Sequence, residues 1–194
     1  KLQDNPAGLR EAYLKVFQLT AFISVPLAAM IIVLAPEFTE IFLGKKWVPM
    51  VPAMQILALA GLMRSIAATA GYVFYAVGRP QIDTRWQIIR LTMLVISIYT
   101  LTLKWGIVGA SVAVCLSILV STIGFSFMIA KITRCETRNF AKMISFPLTS
   151  GIIMMAVIFA LKININTVGL WVFLLFVLAG TFVYLATTYL QDKF

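Results

Sequence analysis

The chain has 194 residues, 61% of them apolar and 12% charged, with a net charge of +9 and a mean hydropathy of +0.98. Soluble domains are about half apolar and about a quarter charged, so one water-exposed core of this size cannot hide so much apolar surface. A nucleic-acid binder is also excluded, because its basic residues gather on a folded face. Here the Lys and Arg residues form short clusters between apolar runs.

A membrane-crossing helix needs about 20 mostly apolar residues to traverse about 30 Å of hydrocarbon. Six stretches qualify: 13–35, 51–76, 87–103, 107–130, 143–161 and 168–190. The expected fold is therefore all-α, a polytopic membrane protein of six transmembrane helices. The separators PEFTEIFLGKKWVP, VGRPQIDTR, KWG, KITRCETRNFAK and KININT carry charges or turn formers. No cleavable leader is expected, since the first apolar run is long and lacks a small-residue cleavage pattern. A start at Lys1 rather than Met suggests a fragment.

Alternate separators differ in charge. One side receives Lys1, Arg10, Lys15, Arg79, Arg85, Arg90, Lys131, Arg134, Arg138, Lys142 and Lys193; the other receives Lys45, Lys46, Lys104 and Lys162. Positive charge favours the cytoplasmic side, which places both termini there. Trp47, Trp86, Trp105 and Trp171 all fall at expected helix ends, where amphipathic rings anchor at the headgroups.

Within the first span lies Pro26, and within the fifth Pro147; each removes a backbone hydrogen bond and should kink its helix, as a hinge or as a fixed bend. The segment Pro36–Pro52 mixes Glu37, Glu40, Lys45 and Lys46 with Phe38, Ile41, Phe42 and Trp47, a pattern suited to a short amphipathic piece on the outer membrane surface. Glu11 and Lys15 form an i,i+4 pair leading into the first span.

Arg64 stands at the middle of the second span, in LALAGLMRSIAATAG. A guanidinium there must face protein, a water-filled cavity or an anion. It is the candidate substrate-binding residue, for a phosphate or an acidic sugar. The competing reading is an arginine satisfied by helix carbonyls or a carboxylate. Arg90, near the start of span three, is expected to snorkel to the interface. Small residues mark candidate packing faces: Gly61 and Gly71 in span two, and the stripe Gly106, Ala110, Ala113, Ser117, Ser121 and Gly124 in span four. The basic loop 131–142 should attract anionic lipid headgroups.

The sequence holds no histidine, and Cys115 and Cys135 are expected in a helix and a loop, so no disulfide, metal site or cofactor is expected. No phosphate-binding glycine loop appears, and the seven acidic residues read as lying outside the hydrophobic interiors, which leaves no carboxylate pair for acid–base chemistry. The expectation is a protein that is not an enzyme.

The stretches FISVPLAAMIIVLAPEFTEIFLGKKWVPMVPAMQILALAGLMRSI, YAVGRPQIDTRW and KWGIVGASVAV resemble the oligosaccharide flippases of bacterial surface-polysaccharide synthesis, such as lipopolysaccharide biosynthesis proteins. These flippases belong to the multidrug/oligosaccharidyl-lipid/polysaccharide exporter superfamily, alongside the lipid II flippases. The distinctive combination is a proline in the first span, AP-E-F…L-G-K-K-W, the G-R-P turn and W-G-I-V-G-A, and it covers residues 9–130. The resemblance implies a C-terminal fragment of a two-lobed exporter. Residues 1–130 would supply the last four helices of the C-terminal lobe, and 131–194 a basic cytoplasmic loop with an additional helix pair. It further implies translocation of undecaprenyl-diphosphate-linked oligosaccharide across the bacterial inner membrane. The partners would be the lipid bilayer, that lipid-linked oligosaccharide and the N-terminal lobe of the same protein. Arg64 is the candidate cation for the cavity. A drug or small-metabolite exporter of the same superfamily is disfavoured by the lack of intramembrane carboxylates. A non-transporting scaffold of polysaccharide synthesis is disfavoured by the short loops.

Overall fold

The computed structural model describes residues 6–133, 137–165 and 169–192; Lys1, Arg134, Cys135 and Lys193 lie outside them, as do the side chains of Arg138 and Lys142. The described residues form helices and turns, with no strand. The long apolar runs dictate this, since in lipid a helix alone satisfies its own backbone groups within one segment.

Helix α1 spans Pro6–Phe38 and contains Pro26 and Pro36. It runs into a wide turn at Thr39–Leu43, ended by Gly44 at φ 87, whose N–H donates to Thr39 O at 2.9 Å. A tight helical turn at Lys45–Met50 then reverses the chain into α2, Val51–Ala76. The expected amphipathic surface piece is thus divided. Lys45, Lys46 and Trp47 are exposed and Lys45 pairs with Glu40 at 3.5 Å, whereas Thr39 is fully buried. Gly78 at φ 70 makes the next turn.

Helix α3, Pro80–Thr133, has 54 residues, about 81 Å if straight and more than twice a hydrocarbon core. It is not straight. Gly106 has φ 57 and ψ −134, a non-helical break inside the run. A Cβ on Gly109 would collide with the Leu101 carbonyl, and one on Gly124 with the Trp86 ring. Both pairs straddle the break at near-equal sequence distances, so arms 80–105 and 107–133 run antiparallel. Among the described residues, five apolar helices therefore make six passes. Helices α4, Thr137–Asn164, and α5, Leu170–Asp192, complete the chain.

α1 is the wall shared by two cores. On one side Tyr13 and Phe17 meet Ala70, Val73 and Phe74 of α2 and Phe125 and Ile129 of α3. On the other, Ala29 and Leu34 meet Met154 and Ile158 of α4 and Phe176 and Tyr184 of α5. Gly151 lets α4 close on Val25, and Gly180 lets α5 close on Ile158. Leu103, Leu178 and Phe182 point outward at 70%, 71% and 75% exposure, which suits lipid and not water. Hydroxyls on these faces return to their own helices: Ser97 donates to Met93 O at 2.6 Å and Thr181 to Val177 O at 2.8 Å.

A proline at position i leaves the carbonyl of i−4 without its helical donor. For Pro26 that carbonyl is Phe22 O, and the buried Tyr184 hydroxyl of α5 donates to it at 2.9 Å. For Pro36 it is Ile32 O, which accepts from Gln55 Nε2 of α2 at 2.7 Å. A third tie joins α4 to the end of α1: Lys162 Nζ lies 2.6 Å from Glu37 and donates to Val33 O at 3.0 Å.

Candidate functional site

The exposed face of α2 carries Gly61, Arg64, Ala68, Tyr72 and Tyr75, three or four residues apart. The short turn at Gly78 returns the chain antiparallel, which brings the first arm of α3 beside this face. Asp83, Gln87 and Arg90, also three or four apart, then stand opposite. Together they enclose a cavity of about 270 Å³, floored by Ser121 and Phe125 of the second arm. Gly71 of α2 faces the Asp83 carboxylate; an added Cβ there would lie 4.0 Å from Asp83 Oδ1.

Arg90 lines this cavity together with Arg64 and Asp83. Among the described residues none of the three makes a salt bridge or a side-chain hydrogen bond. Arg64 therefore has neither the helix carbonyl nor the carboxylate that would quiet it structurally. Two guanidiniums and one carboxylate leave the cavity with an excess positive charge. Such a site suits an anion with several oxygens, since each guanidinium can offer a two-pronged donor. A larger crevice of about 670 Å³ between α1, α4 and α5 is lined by Gln18, Phe22, Phe146 and Pro147 among others, and none of its lining side chains among the described residues is charged.

Two sequence expectations change here. Asp83 was read as a loop residue outside the hydrophobic interior, yet it occupies the first turn of α3 and faces the cavity. Arg90 was expected to snorkel away, and it faces the same space. Both follow from α3 beginning at Pro80, several residues before the apolar run. The signal was present in the sequence: Arg64 and Arg90 lie at equal distances on either side of Val77, where α2 ends and the turn begins.

The remaining singled-out residues scatter. Ala113, Ser117, Ser121 and Gly124 are buried on the α3 hairpin and Ala110 is half-buried. Gly106, expected on that packing stripe, is instead the hairpin turn with nothing near its missing Cβ, because the chain there needs positive φ. Gly61 also meets nothing and lies exposed. Trp86, expected at the headgroups, is wedged against Gly124 inside the hairpin. Trp47, Trp105 and Trp171 are exposed at helix ends. Pro26 sits in α1 behind its Tyr184 cap, and Pro147 is buried in α4. Cys115 is a free thiol and, among the described residues, no group of acidic or sulfur ligands could hold a metal.

Superposed on the solved structure of the lipid II flippase MurJ in an inward closed conformation, the whole chain aligns at a TM-score of 0.84 with 16% identity. The chain has the fold of part of that structure. It covers 41% of that protein. The polysaccharide biosynthesis protein family matches residues 1–52. In sequence the chain is 23% identical over 195 residues to an uncharacterized membrane protein in the cps region of Klebsiella pneumoniae, covering all of this chain and 40% of that relative. It is 24% identical over 131 residues to the lipopolysaccharide biosynthesis protein WzxC of Escherichia coli K12, covering 68% of this chain and 27% of WzxC. It is 30% identical over 78 residues to the teichuronic acid biosynthesis protein TuaB of Bacillus subtilis 168, covering 40% and 16%. The chain thus spans well under half the length of these relatives. It is a multi-pass membrane protein similar to flippases and polysaccharide-synthesis membrane proteins.

Proposed function

We propose that the protein is part of a flippase that carries undecaprenyl-diphosphate-linked oligosaccharide across the bacterial cytoplasmic membrane for surface polysaccharide synthesis. The observation that carries this reading is the cavity between α2 and α3, where Arg64 and Arg90 face open space with, among the described residues, no partner at contact distance. An unpaired guanidinium near the middle of a span costs about 3 kcal/mol, so its retention points to a ligand. In this reading the two guanidiniums grip the diphosphate oxygens, and Gln87, Tyr72 and Tyr75 offer hydrogen bonds toward the sugars. The basic bias of alternate loops supports a cytoplasmic position for both ends of the chain. A second lobe of the same protein would close the far side of the cavity, and rocking of the lobes would alternate access. The reaction is relocation of an intact molecule, so no bond is broken.

The test is export by cells whose only copy carries Arg64→Ala. With normal membrane insertion, surface polysaccharide should fall at least tenfold, the loss of about 1.4 kcal/mol of ligand binding. Export at the normal rate would refute the role of Arg64.

A second reading, a drug or small-metabolite exporter, gains support from Asp83. Cation-coupled exporters place a carboxylate within the membrane, and this cavity contains one. Restoration of drug resistance in a sensitive strain, with no effect on polysaccharide, would favour that reading.

A further inference from the structure

We propose that Asp83 is a built-in counter-anion, competing with the bound ligand for Arg64 and Arg90 and so keeping occupancy of the cavity reversible. This rests on the reading that the two arginines hold the phosphates of the ligand. Asp83 precedes Arg90 by two helical turns on the same face of α3, with Gln87 between them. Long side chains on a helix lean toward its N-terminus, so the Arg90 side chain is directed back toward Asp83. On the opposite side the carboxylate faces Gly71 of α2, where even an added Cβ would stand at ordinary contact distance, 4.0 Å from Asp83 Oδ1. The result is three charged side chains lining one cavity with, among the described residues, no closed ion pair between them.

Two uncompensated guanidiniums in a weakly screened cavity would hold a polyanion too tightly to release it in each cycle. A fixed carboxylate opposes that in two ways. It repels the phosphates while they are bound, and it partly neutralises the arginines as they depart. A first-turn acid also complements the helix dipole of α3, and that ordinary role predicts an effect on stability alone.

Titrating inorganic pyrophosphate into the purified protein in detergent separates these possibilities. Asp83→Asn should bind about tenfold tighter than the parent, because one unit of repulsion at this range is removed. Asp83→Glu, which keeps the charge, should bind like the parent. Asp83→Ser provides a second neutral variant with a smaller side chain, and it should also bind tighter. Unchanged or weaker binding by the neutral variants, at an unchanged melting temperature, overturns the inference. Arg64→Ala and Arg90→Ala should both weaken binding. If neither does, the phosphate reading itself fails and the role of Asp83 falls with it; if both do while the neutral Asp83 variants bind normally, only the counter-anion is lost.

Discussion

Residue by residue, the prolines show how a helix defect becomes a tertiary contact. Pro26 and Pro36 each strand a carbonyl in α1, and a side chain from another helix supplies the absent donor. This argues for a fixed bend at Pro26 and against a free hinge. Tyr184→Phe removes one donor and nothing else, so the purified protein should lose about 1 kcal/mol in detergent, read from its unfolding midpoint. Gln55→Leu should cost a similar amount. If Tyr184→Phe unfolds at the parent's midpoint, the hydroxyl is not needed by Phe22 O. Glu37 and Lys162 form a second kind of tie, with side chains 16% and 21% exposed. Lys162→Met strands the carboxylate and should destabilise by about 3 kcal/mol, while the double change with Glu37→Gln should recover much of it. None of these partners is visible from one helix alone.

Among the elements, α3 is the most informative. The KWG tripeptide between two apolar runs was readable as a turn because Gly can adopt positive φ and the combined run exceeds one membrane thickness. The same reasoning did not reveal that Gly106 makes no packing contact, whereas Gly109 and Gly124 permit the arms to close. Gly106→Val should therefore strain the turn by about 1–3 kcal/mol. Gly124→Leu should drive Trp86 out of the hairpin, which a shift in tryptophan fluorescence would report. The candidate site has the same history. Arg64 was legible as an uncompensated charge in a hydrophobic span, but Asp83 and Arg90 looked like loop and interface residues. A window of hydropathy averages over their neighbours and cannot say that α3 begins at Pro80.

Over the whole molecule, α1 joins the α2–α3 group to the α4–α5 pair, and each side has its own apolar core. The cavity opens on the face of α2 turned away from α1, so its opposite wall must come from elsewhere for closure. The chain reconstituted by itself in liposomes is expected not to move a fluorescent lipid-linked sugar between leaflets; clear translocation would contradict the two-lobed reading. Cysteine labelling at positions 45 and 79 should find them on opposite faces of the membrane, as the six passes require.

Solvent preference is a local property, summed along twenty residues, so the amino-acid order alone determined the helical class, the passages through lipid and the positions of their turns. Loop charge adds the expected orientation for the same local reason. Only the tertiary structure decided which helices answer the orphaned carbonyls of α1, that Trp86 packs inside rather than at the headgroups, and that Asp83 shares a cavity with Arg64 and Arg90. Those outcomes depend on how helices far apart in sequence rotate and close on one another, and helical periodicity fixes a residue's face without naming what it will face.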